Sequence, residues 1–282
     1  RVPAWLFLKA AVADMLVFRR VRKRLGGRMR AYICGGAPLS EDVARFFHAA
    51  GIMVLEGWGL TETFAAVTVN RSDDFHFGTV GKPLSGAELD IAPDGEILVR
   101  GALVFKEYLN LPGETRAAFD ERGFFRTGDL GEISRDGFLR ITGRKKDIII
   151  TAGGKNVAPQ MIEGMLSRSP YVNHAMVCGD GRKYLTALFT LNRGAVIDYL
   201  AERGVTVVEG ELLSANPAVV GLIDEHVREQ NRSLASYETI KRFAIIDDEF
   251  SIEGGELTPT LKMRREAVTR KYREALDSLY SS

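Results

Sequence analysis

Residues Met29–Leu55, MRAYICGGAPLSEDVARFFHAAGIMVL, decide the fold. A short apolar run leads into Gly35-Gly36-Ala37-Pro38, Ser40 then opens an amphipathic stretch to Ala50, and a second apolar run covers Ile52 to Leu55. This reads as strand, tight turn, helix, strand, with Ser40 as the helix N-cap and the two strands paired in parallel in one α/β layer. Ligands in such sheets bind at the carboxyl ends of strands, and two glycine-containing loops fall at those ends.

Upstream, Val2 to Phe18 is apolar but interrupted by Lys9 and Asp14, a poor transmembrane span. The basic residues Arg19, Arg20, Arg22, Lys23 and Arg24 follow the apolar run, whereas a secretory signal places them before it. The segment is expected to be a helix inside a larger protein, packed on a neighbour or making a peripheral membrane contact with anionic lipid. The first residue is Arg1, not Met, which suggests that something upstream has been cut away.

Downstream, from about Gly78 to Gly143, the helical period disappears and turn signals multiply: Pro93-Asp94-Gly95 and Asp136-Gly137, with short runs at Glu96 to Val99 and Phe138 to Ile141. A small antiparallel β unit is predicted there. Beyond Arg144 come Lys145-Lys146-Asp147, an isoleucine triplet, Gly153-Gly154 and a helix start near Pro159. The rest alternates strands (Ala175 to Val177, Leu185 to Leu191, Phe243 to Ile246) with helices (Ala195 to Glu202, Ala218 to Ser233, Glu266 to Leu279), a compact α+β domain. The predicted organisation is 1–77 as α/β layer, 78–143 as β subdomain, 144–147 as connecting segment and 148–282 as α+β domain. Disorder is expected only at the termini and around Asp73 and Gly254.

The formal net charge is +1, so no global field argues for nucleic acid or an acidic macromolecular substrate. Cys34 and Cys178, far apart and inside apolar stretches, read as buried thiols of a reducing, cytoplasmic compartment.

Three segments offer chemistry. In Glu56-Gly57-Trp58-Gly59-Leu60-Thr61-Glu62-Thr63, glycines would let backbone approach a base or a phosphate, Trp58 offers a stacking face, Thr61 a phosphate donor and Glu62 a ligand for Mg²⁺. The same block also reads as a turn with a capping threonine. In Arg126-Thr127-Gly128-Asp129, the aspartate can accept both hydroxyls of a ribose or simply close a β-turn. Arg144, Lys145 and Lys146 read equally as a solvated charge run.

The order and spacing of these segments, from Gly35-Gly36-Ala37-Pro38-Leu39 through Gly143-Arg144-Lys145-Lys146-Asp147, resemble the adenylate-forming superfamily at every step. The closing block Leu257-Thr258-Pro259-Thr260-Leu261-Lys262-Met263-Arg264-Arg265 looks like the form it takes in long-chain fatty acyl-CoA synthetases; relatives outside that branch usually carry a glycine before the lysine. The resemblance implies a fold made of the remainder of a large α/β domain with a small antiparallel β-barrel, followed by a mobile C-terminal α+β domain. It implies attack of a fatty-acid carboxylate on the α-phosphate of ATP, giving acyl-AMP and pyrophosphate, then displacement of AMP by the CoA thiol. Lys262 and Mg²⁺ would stabilise the charge at phosphorus.

By the same resemblance, Gly36, Ala37 and Pro38 lie against the adenine with Trp58 stacked near it where a tyrosine is commoner, and Gly35, Glu56, Gly57, Gly59, Leu60 and Lys262 also belong to the nucleotide site. Thr61 meets the α-phosphate, Glu62 holds Mg²⁺, Asp129 and Arg144 meet the ribose, Lys146 is the hinge, and Gly153, Gly154 and Lys155 meet CoA. The serine, threonine and glycine-rich phosphate loop of the family is not among these residues. The chain is therefore expected to be the carboxy-terminal part of the enzyme, inactive without its N-terminal half and leaving an apolar face on which self-association, including a homodimer, can form. Two alternatives stand beside this: an acyl-AMP ligase that loads a carrier protein, and a non-catalytic remnant that binds nucleotide or a partner.

Overall fold

The computed structural model describes residues 3–208 and 210–281; Arg1 and Val2, at the head of the apolar stretch, lie outside them. The chain forms two compact units that part between Lys145 and Lys146.

The first unit opens with α1 (Ala4–Ala13), a π-helical stretch Asp14–Phe18 and α2 (Arg19–Arg24) in unbroken succession. Trp5, Phe7, Leu8, Met15 and Val17 are exposed along it. Its last turn is anchored. Arg22 pairs with Asp14 at 2.7 Å and donates to the Ala50 carbonyl at 2.7 Å. That carbonyl lies just past α3 (Glu41–Ala49), where a cation also meets the negative end of the helix dipole. One member of the basic cluster is thus committed to the fold rather than to a surface partner.

Strand β1 (Tyr32–Cys34) pairs in parallel with β2 (Val54–Leu60), Tyr32 opposite Val54 and Cys34 opposite Glu56, as the strand, helix, strand reading requires. Ser40 takes the extended N-cap backbone of α3, but its buried hydroxyl makes no hydrogen bond. The acidic first-turn residues Glu41 and Asp42 meet the helix dipole in its place.

The second apolar run does not end at Leu55. Strand β2 continues through Gly57, Trp58 and Gly59 to Leu60, and β3 (Ala65–Val69) folds back on it antiparallel. Glycine is needed for this closure, because a Cβ at Gly59 would stand 1.7 Å from the Ala65 carbonyl oxygen. The capping threonine is Thr63: its hydroxyl accepts from Leu60 N–H at 2.9 Å and lies 3.0 Å from the Ala65 carbonyl. Strand β4 (Lys82–Pro83) completes the sheet order β1-β2-β3-β4.

The antiparallel unit is a four-stranded sheet of β5 (Ala87–Ile91), β6 (Glu96–Gly101), β7 (Phe125–Ile133) and β8 (Leu139–Arg144), in that order. It curls toward the α/β layer where Val80 N–H donates to Leu139 O at 2.8 Å and Leu139 N–H to Gly81 O at 2.9 Å. A core of Trp58, Val67, Ile97, Val99 and Leu139 lies between the two sheets. Helix α4 (Pro112–Ala117) interrupts the β section and was not predicted; six residues are too few to display a 3.6-residue period. The stretch at Asp73 is a closed turn in which Arg71 and Asp74 exchange backbone hydrogen bonds of 3.1 Å.

The second unit begins with the hairpin β9 (Ile149–Ile150) and β10 (Asn156–Val157), then α5 (Pro159–Leu166). Its sheet joins β11 (Val172–Cys178) antiparallel to β12 (Leu185–Leu191), and β12 parallel to the last strand of the unit, β13 (Ile240–Ile246). Between β12 and β13 the chain crosses over through α6 (Arg193–Ala201) and α7 (Pro217–Asn231). Every residue of β12 is buried, Thr186 and Thr190 included, which is why its sequence shows no apolar/polar alternation of period two. Phe189 and Ile223 belong to the core on one face, Met176, Leu188 and Val268 to the core on the other. The predicted last helix is two, α8 (Arg265–Lys271) and α9 (Arg273–Ser278), broken at Tyr272, whose ring lies 5.9 Å from that of Phe250. The stretch at Gly254 is tied back by its own N–H, which donates to Ser251 Oγ at 2.8 Å.

Candidate functional site

At the carboxyl end of β1 the loop Gly35–Pro38 is exposed, with Gly36 in the left-handed region at φ +83°. Gly35 lies against β2: a Cβ there would be 3.1 Å from the Gly57 carbonyl oxygen. Leu39 N–H donates to Glu56 Oε1 at 3.2 Å, so the loop is fastened to β2 at both ends. Burial pushes the Glu56 carboxyl up, partly offset by that N–H. Glu56 thus organises the loop from beneath.

Trp58 and Asp129 meet across the first unit. The indole Nε1–H donates to Asp129 Oδ2 at 2.8 Å, and Arg144 Nε lies 2.8 Å from Asp129 Oδ1. Asp129 is 3% exposed and Trp58 8%. The open stacking face predicted for Trp58 is therefore not what the structure presents. Its ring fills the core between the sheets, and its polar edge fixes a carboxylate. Gly57 and Gly59 are both pressed against β3 in the hairpin, where a Cβ would stand 3.0 Å from Thr68 O and 1.7 Å from Ala65 O. Thr127 Oγ1 accepts the Asp129 N–H at 3.1 Å, so Asp129 closes a turn and pairs with Arg144 at once.

Thr61 and Glu62 sit in a 3₁₀ turn, Thr61–Thr63, directly after β2. Thr61 is exposed. Glu62 Oε1 accepts from the Tyr108 hydroxyl at 2.9 Å, and its carbonyl accepts from Phe105 N–H at 2.7 Å. Burial and the neighbouring Glu62 push the Tyr108 phenol up. Sequence reading missed Tyr108, because an aromatic in a loop carries no signal of its own. Among the described residues no group of three His, Cys, Asp or Glu could form an all-protein metal site. Glu62, a single partly exposed carboxylate, is nonetheless the kind of donor that Mg²⁺ takes, since that ion keeps several waters and uses one or two carboxylates plus substrate phosphates.

The first unit thus brings together residues 35–38, 56–62, 129 and 144. Lys146 and the remaining predicted residues belong to the second unit. Gly153, Gly154 and Lys155 form the turn of the β9–β10 hairpin, closed by Thr151 N–H to Lys155 O at 3.0 Å, with Gly154 at φ +72° and open space where its Cβ would stand. Lys262 lies in a tight hairpin: Leu257 bridges Met263, Thr258 N–H donates to Lys262 O at 2.8 Å, and Lys262 N–H to Thr258 Oγ1 at 3.0 Å. Leu261 takes φ +60° and is 67% exposed, a strained backbone that costs about 1 kcal/mol. The Lys262 side chain is exposed and has no hydrogen-bond or ion-pair partner among the described residues.

Residues 3–109 match the family model for AMP-binding enzyme and residues 146–282 that for AMP-binding enzyme C-terminal domain. The chain is 42% identical over 275 residues to the long-chain-fatty-acid--CoA ligase FadD15 of Mycobacterium bovis, covering 97% of this chain and 46% of that protein. It is 36% identical to the long-chain-fatty-acid--CoA ligase ACSBG2 of Xenopus laevis, covering 97% and 40%. Among solved structures it resembles the adenylation domain of a carboxylate reductase from Mycobacterium chelonae, with TM-score 0.78, 26% identity and coverage of 97% and 42%. A second is the adenylation and carrier didomain of the carboxylic acid reductase of Segniliparus rugosus in complex with AMP, with TM-score 0.72, 28% identity and coverage of 95% and 37%. The chain spans less than half the length of these curated relatives.

Proposed function

Because this chain belongs to the AMP-binding enzyme family, we propose that it is the carboxy-terminal part of a ligase that activates a long-chain fatty acid with ATP as acyl-AMP and transfers the acyl group to CoA. The observation that carries this reading is that one strand, β2, serves all three segments: Glu56 holds the Gly35–Pro38 loop, Trp58 holds the Asp129 that pairs with Arg144, and the Thr61–Glu62 turn follows its last residue. The exposed loop receives the adenine edge through its backbone. Asp129, held by the Trp58 indole and Arg144, orients the ribose with its remaining lone pairs. Thr61 donates to the α-phosphate, and Glu62, steadied by Tyr108, would hold Mg²⁺, which supplies charge neutralisation at the phosphates when bound. Lys262 adds a cation as negative charge builds at phosphorus, a stabilisation that tracks the transition state rather than the ground state. In the second step the β9–β10 turn offers backbone to the CoA arm.

The exposed apolar side chains of α1 are read as the surface on which the upstream half of the enzyme packs, in preference to a lipid surface or a second copy. Among the described residues no helix is long and apolar enough to cross a membrane. This chain alone is expected to form little or no acyl-CoA. The carrier-loading alternative has structural neighbours in carboxylate reductases, yet identity of 42% to a CoA ligase against 28% to the didomain favours CoA as acceptor.

The test is mass-spectrometric detection of acyl-CoA made by the full-length protein from fatty acid, ATP and CoA. Accumulation of acyl-AMP with no thioester on free CoA would overturn the choice of acceptor.

A further inference from the structure

The hairpin that carries Lys262 has few bonds of its own. It is closed by the bridge from Leu257 to Met263 and by the bonds between Thr258 and Lys262, and it holds Leu261 in the left-handed region. An isolated hairpin is marginally stable at best in water. Its two feet, however, are tied into the second unit by charge. At the first foot Glu256 is 1% exposed: one carboxylate oxygen is paired with Lys271 of α8, and the other accepts Ser251 N–H at 3.3 Å. Its carbonyl accepts Arg264 N–H at 2.7 Å, which closes the base of the hairpin. The Lys271 ammonium holds the Glu256 carboxyl below its ordinary value. At the second foot Arg265 donates to Glu163 Oε1, on α5, at 2.6 Å and to Val177 O at 2.8 Å, while Glu163 Oε1 also accepts Val177 N–H at 2.7 Å. Strand β11 is an edge of its sheet, and these two side chains serve the N–H and the C=O of its Val177.

We propose that Glu256 and Arg265 are positioning residues that clamp the Lys262 hairpin in one orientation on the second unit. Leu257 and Met263 pack in the core with Phe250 and Val268, and that packing alone would keep the hairpin attached. It would not aim it, because apolar burial is non-directional, whereas charge-assisted hydrogen bonds at both feet fix angle as well as place. Burying two carboxylates is costly, and a merely structural anchor would do as well with apolar residues. A group that meets charge at phosphorus gains from a rigid stem, since a misplacement of about 1 Å costs on the order of 10²-fold in rate. The purpose rests on the proposed ligase, but the clamp itself is tested without it.

Amide hydrogen exchange read by mass spectrometry on this chain tests the clamp directly. In Lys271→Met, which leaves Glu256 without its cation, exchange in the peptide spanning residues 257–263 should rise about tenfold, with that of β12 unchanged. Glu256→Gln, nearly the same shape, should do the same and keeps the test open should Lys271→Met fail to fold. Unchanged exchange in the hairpin, or a rise shared by β12, would overturn the proposal. In the full-length enzyme, Lys271→Met is expected to lower kcat for adenylation about tenfold with the KM for ATP unchanged, because the lysine acts as charge develops and not on nucleotide affinity. Thioester formation from supplied acyl-AMP and CoA should stay within about twofold, and Lys271→Arg should restore adenylation to within about twofold. An equal fall in both half-reactions, or no rescue by arginine, would overturn the positioning role. If the wild-type enzyme forms no acyl-AMP, the proposed function fails while the exchange pattern still decides the clamp.

Discussion

Replacing Trp58 by Phe separates its two duties. The phenyl ring keeps most of the apolar contacts with Val67, Ile97 and Leu139 but removes the donor 2.8 Å from Asp129 Oδ2. A hydrogen bond to a charged group contributes about 1.5–3 kcal/mol, and the smaller ring leaves a void worth about 1 kcal/mol. Asp129 keeps Arg144, whose side chain is 43% exposed and so only partly compensates. The expected loss is about 2–4 kcal/mol, which for a unit of this size lowers its Tm by roughly 5–15 °C. Scanning calorimetry is the suitable assay, because two units give two transitions and only the first unit's should move. A double-mutant cycle with Asp129→Asn isolates the indole–carboxylate bond, with an expected coupling of about 1.5 kcal/mol. Coupling below about 0.5 kcal/mol would refute the claim that Trp58 fixes Asp129.

Gly59→Ala should disrupt the β2–β3 hairpin, since the new Cβ meets backbone at 1.7 Å; a loss of about 3 kcal/mol or more in denaturant melts is expected, and a neutral substitution would contradict the packing. Tyr108→Phe frees Glu62 Oε1 and should raise the Mg²⁺ concentration needed for half-maximal adenylation about threefold, together with weaker Mg²⁺-dependent protection of the chain from thermal unfolding; identical titrations would remove Tyr108 from the site. Burial holds the His174 ring below its ordinary value of 6.5, against the pull of Glu249. The unfolded chain therefore binds that proton first, so stability is full above about pH 6.5 and falls as pH drops toward the folded value. His174→Phe should flatten that slope in melts from pH 7.5 to about 5, and a slope that persists would assign it to other groups.

Much of this architecture was legible in the sequence because local signals and tertiary demands agree. The Met29–Leu55 stretch carried an apolar run, a glycine turn and an amphipathic period together, and the structure has β1, α3 and β2 there. Strand β12, buried on both faces, was legible as the Leu185–Leu191 stretch of mostly apolar residues. What stayed hidden depended on partners distant in sequence. Nothing near Trp58 says that an indole will reach Asp129, 71 residues away, so a conjugated ring read as a stacking surface. The glycines flanking it read as a ligand loop, although Gly59 is required by a carbonyl on the returning strand. Glu96 was visible only as the head of a strand, and its pairing with Lys145, 49 residues on, came from the curl of the sheet. Thr61, Glu62, Arg144 and Lys262 were picked out by motif order rather than by any local property.

The most direct measurement is fatty-acid-dependent conversion of ATP to AMP and pyrophosphate by the full-length protein, wild type beside Lys262→Ala. The account predicts turnover in the wild type and a fall of about 10²-fold or more in the variant, with its fold and nucleotide binding retained. A folded, nucleotide-binding wild type with no turnover on any fatty acid, or a variant as fast as the wild type, would contradict it.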